Sequence, residues 1–161
     1  MWQEIQYPEN QNELYALLDS QLAALMEGER EPVPNMANMS ALLFGALRDI
    51  NWAGFYLMKD GVLLLGPFQG KPACIRIPVG RGVCGTAAKT LGTQLVYDVH
   101  QFPGHIACDG ASNSEIVIPL LKDERLLGVL DIDSPLVGRF DERDRAGLEQ
   151  LAQRLVQGCD W

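Results

Sequence analysis

Cys108 is flanked by Gly104 and His105 on one side and by Asp109, Gly110, Ser112 and Asn113 on the other. A cysteine kept for packing sits in an apolar periodic segment, because the neutral thiol behaves as a small hydrophobe. Small polar neighbours instead mark a loop, so the expectation is a reactive thiol on a mobile loop spanning 105–114. Downstream, the run 126–133 reads as a central apolar strand, yet it ends in Asp131 and Asp133. In a strand those two side chains share a face, roughly 6.6 Å apart at ~3.3 Å per residue, while Leu130 and Ile132 point the other way. A lone Asp would be a strand end entering water. Two carboxylates on one face of an apolar strand are costly without compensation and point to a site that holds a cation or keeps one carboxyl protonated. Glu115 opens the partner strand and joins them only if residues opposite one another have numbers summing to an even value, as when it faces Asp133. An odd sum turns it away. A thiolate attacking an oxygen-bearing electrophilic centre needs an acid for the departing oxygen, and crowded carboxylates raise one another's pKa until one carries that proton near neutrality. The remaining anions suit an ammonium group. The ligand implied is small, cationic at one point and reducible.

Three further cysteines, Cys74, Cys84 and Cys159, form no C-x-x-C pair with Cys108 or with one another, which argues against structural zinc and a thioredoxin-like motif. Cys84 falls where the glycine-rich run 80–85 opens a short helix, and free N–H groups at a helix start stabilise anions, a thiolate included. That glycine spacing lacks the order of strand, G-x-G-x-x-G and long helix that a dinucleotide site needs. A metal held by Cys108 with His100 or His105 is a further reading. His105 fits better as a loop hydrogen-bonding residue, and no metal is expected.

These side chains need a scaffold. Leucines 14, 17, 18, 22 and 25 recur at helical spacing over 12–27, with Gly28, Pro32 and Pro34 as stops, and a second helix is predicted over about 36–47. The aromatic-rich run 50–58, the pair Asp60-Gly61 and the run 62–65 predict a hairpin. Period two puts Trp52, Gly54 and Tyr56 on one face and Ala53, Phe55 and Leu57 on the other. Trp52 and Tyr56 would line a pocket there, or serve equally as core aromatics with hydrogen-bonded tips. A third strand is expected over 71–78, with Cys74 and Arg76 on one face. Further strands follow over 93–99, 115–121 and 126–133, and Asp141 caps a closing helix buried through Leu148, Leu151 and Leu155. Short connections between strands favour an α+β fold: a mainly antiparallel central sheet of about six strands, helices packed on one face and the other face left to a pocket.

With 161 residues and 47% hydrophobic content, the chain is expected to form one domain over 1–161, residues 1–10 being loosely ordered. A net charge of −8, with no gathered lysines and arginines, argues against nucleic acid and anionic membranes as partners. The N-terminus lacks the basic and apolar regions of a secretory signal, so a cytoplasmic location with reduced cysteines is expected.

Several runs together carry a resemblance: Asn51-Trp-Ala-Gly-Phe-Tyr56, Gly66-Pro-Phe-Gln-Gly70, Ile77-Pro-Val-Gly-Arg-Gly-Val-Cys-Gly-Thr86, Gly104-His-Ile-Ala-Cys-Asp109, Ser112-Asn-Ser-Glu-Ile116 and Gly128-Val-Leu-Asp-Ile-Asp-Ser134. In this order they resemble the free methionine-R-sulfoxide reductases, enzymes of the GAF fold that answer oxidative stress. The resemblance implies reduction of free L-methionine (R)-S-oxide to L-methionine without a bound cofactor. Cys108 would be the nucleophile that passes through a sulfenic acid. Cys74 is the first choice as resolving residue and Cys84 the alternative. Thioredoxin, kept reduced by NADPH and thioredoxin reductase, would reopen the disulfide. Glu115, Asp131 and Asp133 would polarise and protonate the sulfoxide oxygen, and Trp52 and Tyr56 would meet the thioether end. A homodimer is left open, and Cys159 has no role in the pattern. The rival reading is a GAF module that senses a small ligand without transforming it.

Overall fold

Strand alternation gives the sheet two apolar faces, and the helices divide between them unequally. The computed structural model describes residues 3–106 and 108–161. Met1 and Trp2, from the expected loose N-terminal ten, and Ala107, from the Cys108 loop, lie outside the described residues. Six strands, β1 (Trp52–Lys59), β2 (Val62–Gly70), β3 (Arg76–Pro78), β4 (Gln94–Val96), β5 (Ser114–Lys122) and β6 (Arg125–Ser134), form one antiparallel sheet in the order β3-β2-β1-β6-β5-β4. Helices α1 (Gln11–Leu25), α2 (Pro32–Ala46) and α4 (Glu142–Gly158) cover one face. There Leu18, Leu22, Met39, Leu43, Leu148 and Leu155 close over Phe55, Ile116 and Ile132. The short α3 (Gly82–Thr90) lies on the opposite face, packing Val83, Cys84 and Ala87 against Trp52, Tyr56, Val117 and Val129. It thereby roofs the face expected to hold a pocket. No helix among the described residues is long and apolar enough to cross a membrane.

The helix ends follow elementary capping chemistry. Asn10 Oδ1 accepts from Glu13 N at 3.0 Å to start α1, and Asp141 caps α4 through a reciprocal box with Asp144. Helix α2 begins earlier than predicted. Pro32 occupies its first position, where a missing N–H costs nothing, so the prolines expected only to stop the first helix also open the second. The hairpin turn Asp60-Gly61 has both residues at positive φ, 51° and 81°, the geometry that matches strand twist.

The expected third strand is shorter than 71–78. Only Arg76–Pro78 pairs with β2, while residues 71–75, Cys74 among them, are irregular. Side chains of β1 take up their carbonyls: Trp52 Nε1 donates to Lys71 O at 3.1 Å and Tyr56 OH to Cys74 O at 2.9 Å. Ile75 O still accepts from Leu65 N at 2.9 Å.

Candidate active site

The register across the three central strands builds the floor of the site. Glu115 on β5 faces Asp133 on β6, which faces Trp52 on β1; one step along, Val117, Asp131 and Gly54 form the next row. The even sum required for an acidic triad is met, and all three carboxylates lie on the α3 side. Glu115 and Asp131 are each 6% exposed, and Asp133 is half-buried. Gly54 belongs between the two pocket aromatics because β2 passes too close for a side chain: a Cβ there would lie 2.7 Å from Phe68 Cα. Trp52 stacks between Tyr56 and Phe68, with ring centroids 5.9 and 5.1 Å away. Trp52 and Tyr56 line the cavity and also have hydrogen-bonded tips.

From α3, the Cys84 thiol donates to Glu115 Oε1 at 3.9 Å. On the far side of that carboxylate, His105 Nε2 stands 4.0 Å from Oε2. Asp131 Oδ1 is buried without a protein partner. Burial, reinforced by the neighbouring acids, pushes the carboxyls of Glu115 and Asp133 well above the usual range. Burial likewise raises Asp131, and hydrogen bonds from Glu115 and Cys84 oppose that rise. The same burial and the same anions push the Cys84 thiol up, holding it as S–H, while burial and the charge of His100 lower His105 and keep its imidazole neutral. Cys84, Glu115 and Asp131 place ligand atoms within 4.8 Å of one another.

Above this floor a disulfide joins Cys74 to Cys108, with Cα atoms 5.6 Å apart across 34 residues of sequence. Cys84 and Cys159 are free and buried. The Cys108 loop is tied at several points. Asn51 Nδ2 donates to Asp109 Oδ2 and to Ser112 Oγ, both at 3.2 Å, and Asp109 Oδ1 accepts from Ala111 N at 2.9 Å. Asn51 N also donates to Asp133 O at 2.9 Å, joining the loop to the acidic strand. Sequence reasoning assigned Asn51 and Phe68 no part; only their presence in the aromatic-rich and Gly-Pro-Phe runs could have drawn attention to them. The cavity lined by Cys108, Cys84, Glu115, Asp131, Trp52 and Tyr56 measures about 40 Å³.

A half-buried disulfide over a buried, proton-rich carboxyl cluster suits reduction of a small polar centre, and likeness to other proteins agrees. The GAF domain family model matches residues 35–158. The free methionine-R-sulfoxide reductase of Escherichia coli is 58% identical over 146 residues, covering 91% of this chain and 88% of that protein. The chain belongs to the free methionine-R-sulfoxide reductase family. Its Saccharomyces cerevisiae relative of that name is 46% identical, over 93% of this chain and 88% of that one. The family structure from Neisseria meningitidis, in complex with its substrate, superposes with a TM-score of 0.92 at 42% identity, over 96% of this chain and 94% of that chain. For a reductase of this family, the six-stranded α+β sheet described above is the expected GAF scaffold.

Proposed function

We propose that residues 1–161 act as one unit that reduces free L-methionine (R)-S-oxide to L-methionine in the cytoplasm. The Cys108 thiolate attacks the sulfoxide sulfur while a protonated member of the Glu115, Asp131 and Asp133 cluster transfers its proton to the sulfoxide oxygen. Collapse of the adduct leaves Cys108 as a sulfenic acid and releases methionine with its thioether restored. Cys74 then attacks the sulfenic sulfur, expels the oxygen as water and closes the disulfide. Thioredoxin, recharged by NADPH through its reductase, supplies two electrons and two protons to reopen it. The ionised carboxylates receive the substrate ammonium, Asp131 Oδ1 being free to accept it, and the faces of Trp52 and Tyr56 receive the methyl thioether.

The observation that carries this reading is the Cys74–Cys108 disulfide lying across a cavity floored by buried acids. The disulfide ties up both thiols, so it must be reduced before Cys108 can attack the next substrate. The assay is NADPH oxidation with thioredoxin, thioredoxin reductase and each sulfoxide epimer of free methionine. Consumption with the R epimer is expected, and its absence would leave the ligand-sensing GAF module as the better description.

A further inference from the structure

Electrons must reach the Cys74–Cys108 disulfide from outside, and the chain around it has a charge of its own. Between Asp60 and Asp98 there is no acidic residue, whereas Lys71, Arg76, Arg81 and Lys89 all fall there, in a chain of net charge −8. All four are exposed. Elsewhere Arg30, Arg48, Arg139, Arg145 and Arg154 each hold an acidic partner, and among the described residues Lys59, Lys122, Arg125 and Arg143 do not. Among the described residues, none of the four cations near the disulfide does.

Their placement is local. Lys71 and Arg81 line the cavity that Cys108 also lines. Arg76 follows Cys74 by two positions and Lys71 precedes it by three, so both Cα atoms lie within about 11 Å of that of Cys74. The stem of Lys89 lies beside Gly80, next to Arg81. Ile75, adjoining Cys74, is 61% exposed. Transient redox encounters bury less than about 1,200 Å² in total, a footprint wide enough to include Ile75 and its cationic surround. Asp109 also lines the cavity, so the surround is predominantly cationic, and an exposed aliphatic anchor within such a rim favours an acidic partner.

We propose that this face docks a dithiol protein whose thiol pair is ringed by acidic residues, an inference that rests on the reductase reading above. Both cysteines are half-buried, and of the two only Cys108 lines the cavity, so the attack is assigned to Cys74 Sγ, which leaves Cys108 on the substrate side. The partner's thiolate bonds to Cys74 Sγ as the Cys74–Cys108 bond breaks, and Cys108 leaves as a thiolate, the form that attacks substrate. The partner's second thiol then displaces Cys74 from the mixed disulfide. The partner ends as a disulfide, and this chain gains two electrons and, with protons from the partner and solvent, two thiols.

The test follows reduction of the disulfide itself, without methionine sulfoxide, in the full chain. Arg76→Glu combined with Lys89→Glu alters two charges that do not line the cavity. With a thioredoxin of net negative charge as the probe, the second-order reduction rate should fall about tenfold, the scale expected when charged rims are mismatched. With dithiothreitol it should not change. The native rate with thioredoxin should also fall as ionic strength rises from about 0.02 to about 0.3 M. Equal rates for native and variant protein with thioredoxin would overturn the proposal, as would an equal loss with both reductants. A change in oligomeric state on charge reversal, seen by light scattering, would assign the face to a second copy of the chain instead. Failure of the reductase reading would show elsewhere, as no methionine formed by the dithiothreitol-reduced native protein.

Discussion

Asp131→Asn should make the protein more stable while suppressing its activity. Glu115 and Asp131 present oxygens within 4.8 Å of each other in a buried site, and two unit charges ~5 Å apart at an effective dielectric of ~20 repel by about 3 kcal/mol. The site relieves this by holding protons, so the gain from removing one charge is smaller, about 1–2 kcal/mol near pH 8, or roughly 2–8 °C in Tm for a chain of this size. The sign with pH follows from the raised carboxyl pKa values. The folded state binds more protons than the unfolded one between the ordinary carboxylate range and the raised values. The native site's contribution to stability is therefore full below the unfolded pKa and lost as pH rises through that window. Asp131→Asn removes one of these groups, so its stabilisation should be larger at about pH 8.5 than at about pH 5.5. Urea unfolding of the oxidised protein at both pH values measures it, with methionine formation assayed in parallel. Destabilisation of similar size at both would refute the reasoning, because it would mean that Asp131 is a satisfied structural residue.

Three other substitutions probe the surroundings. Tyr56→Phe removes the hydrogen bond to Cys74 O, worth about 1 kcal/mol; stopped-flow and mass measurements should show slower closure of the disulfide, with the first methionine released at nearly the native rate. Cys84→Ser keeps a donor toward Glu115, so mass mapping after one turnover should still find Cys74 bonded to Cys108, and a bond missing from that variant would give Cys84 the resolving role. Gly54→Ala drives a Cβ to 2.7 Å from Phe68 Cα, and denaturant unfolding should register a loss of about 2 kcal/mol or more, since backbone on β2 must shift.

Much of the scaffold and the acidic floor was legible because strands alternate with period two. Ala53 and Phe55 go to the helix face while Trp52 and Tyr56 go to the cavity face. Asp131 and Asp133 share a side for the same reason. The parity condition on Glu115 could be stated from sequence but not decided: at the turn Lys122 faces Arg125, an odd sum, and a bulge between Leu120 and Leu121 shifts the register to the even sum that sets Glu115 opposite Asp133. The segment 71–75 was misread as strand because its partners are side chains 18 and 19 residues earlier in the chain, and no local pattern reports such bonds. Prolines 32 and 34 show a similar limit: a proline stops one helix and opens another equally well, and composition alone does not divide the two roles. Asn51 was invisible as a tether because its contacts at Asp109 and Ser112 lie 58 and 61 positions away.

The central claim is that Cys108 attacks the substrate and Cys74 closes the cycle. Methionine released per protein in a single turnover, with prereduced protein and no reductant present, tests it most directly. The native protein and Cys74→Ser should each release about one equivalent, Cys74→Ser stopping at the sulfenic acid, and Cys108→Ser should release none. Methionine from Cys108→Ser, or none from Cys74→Ser, would contradict the assignment.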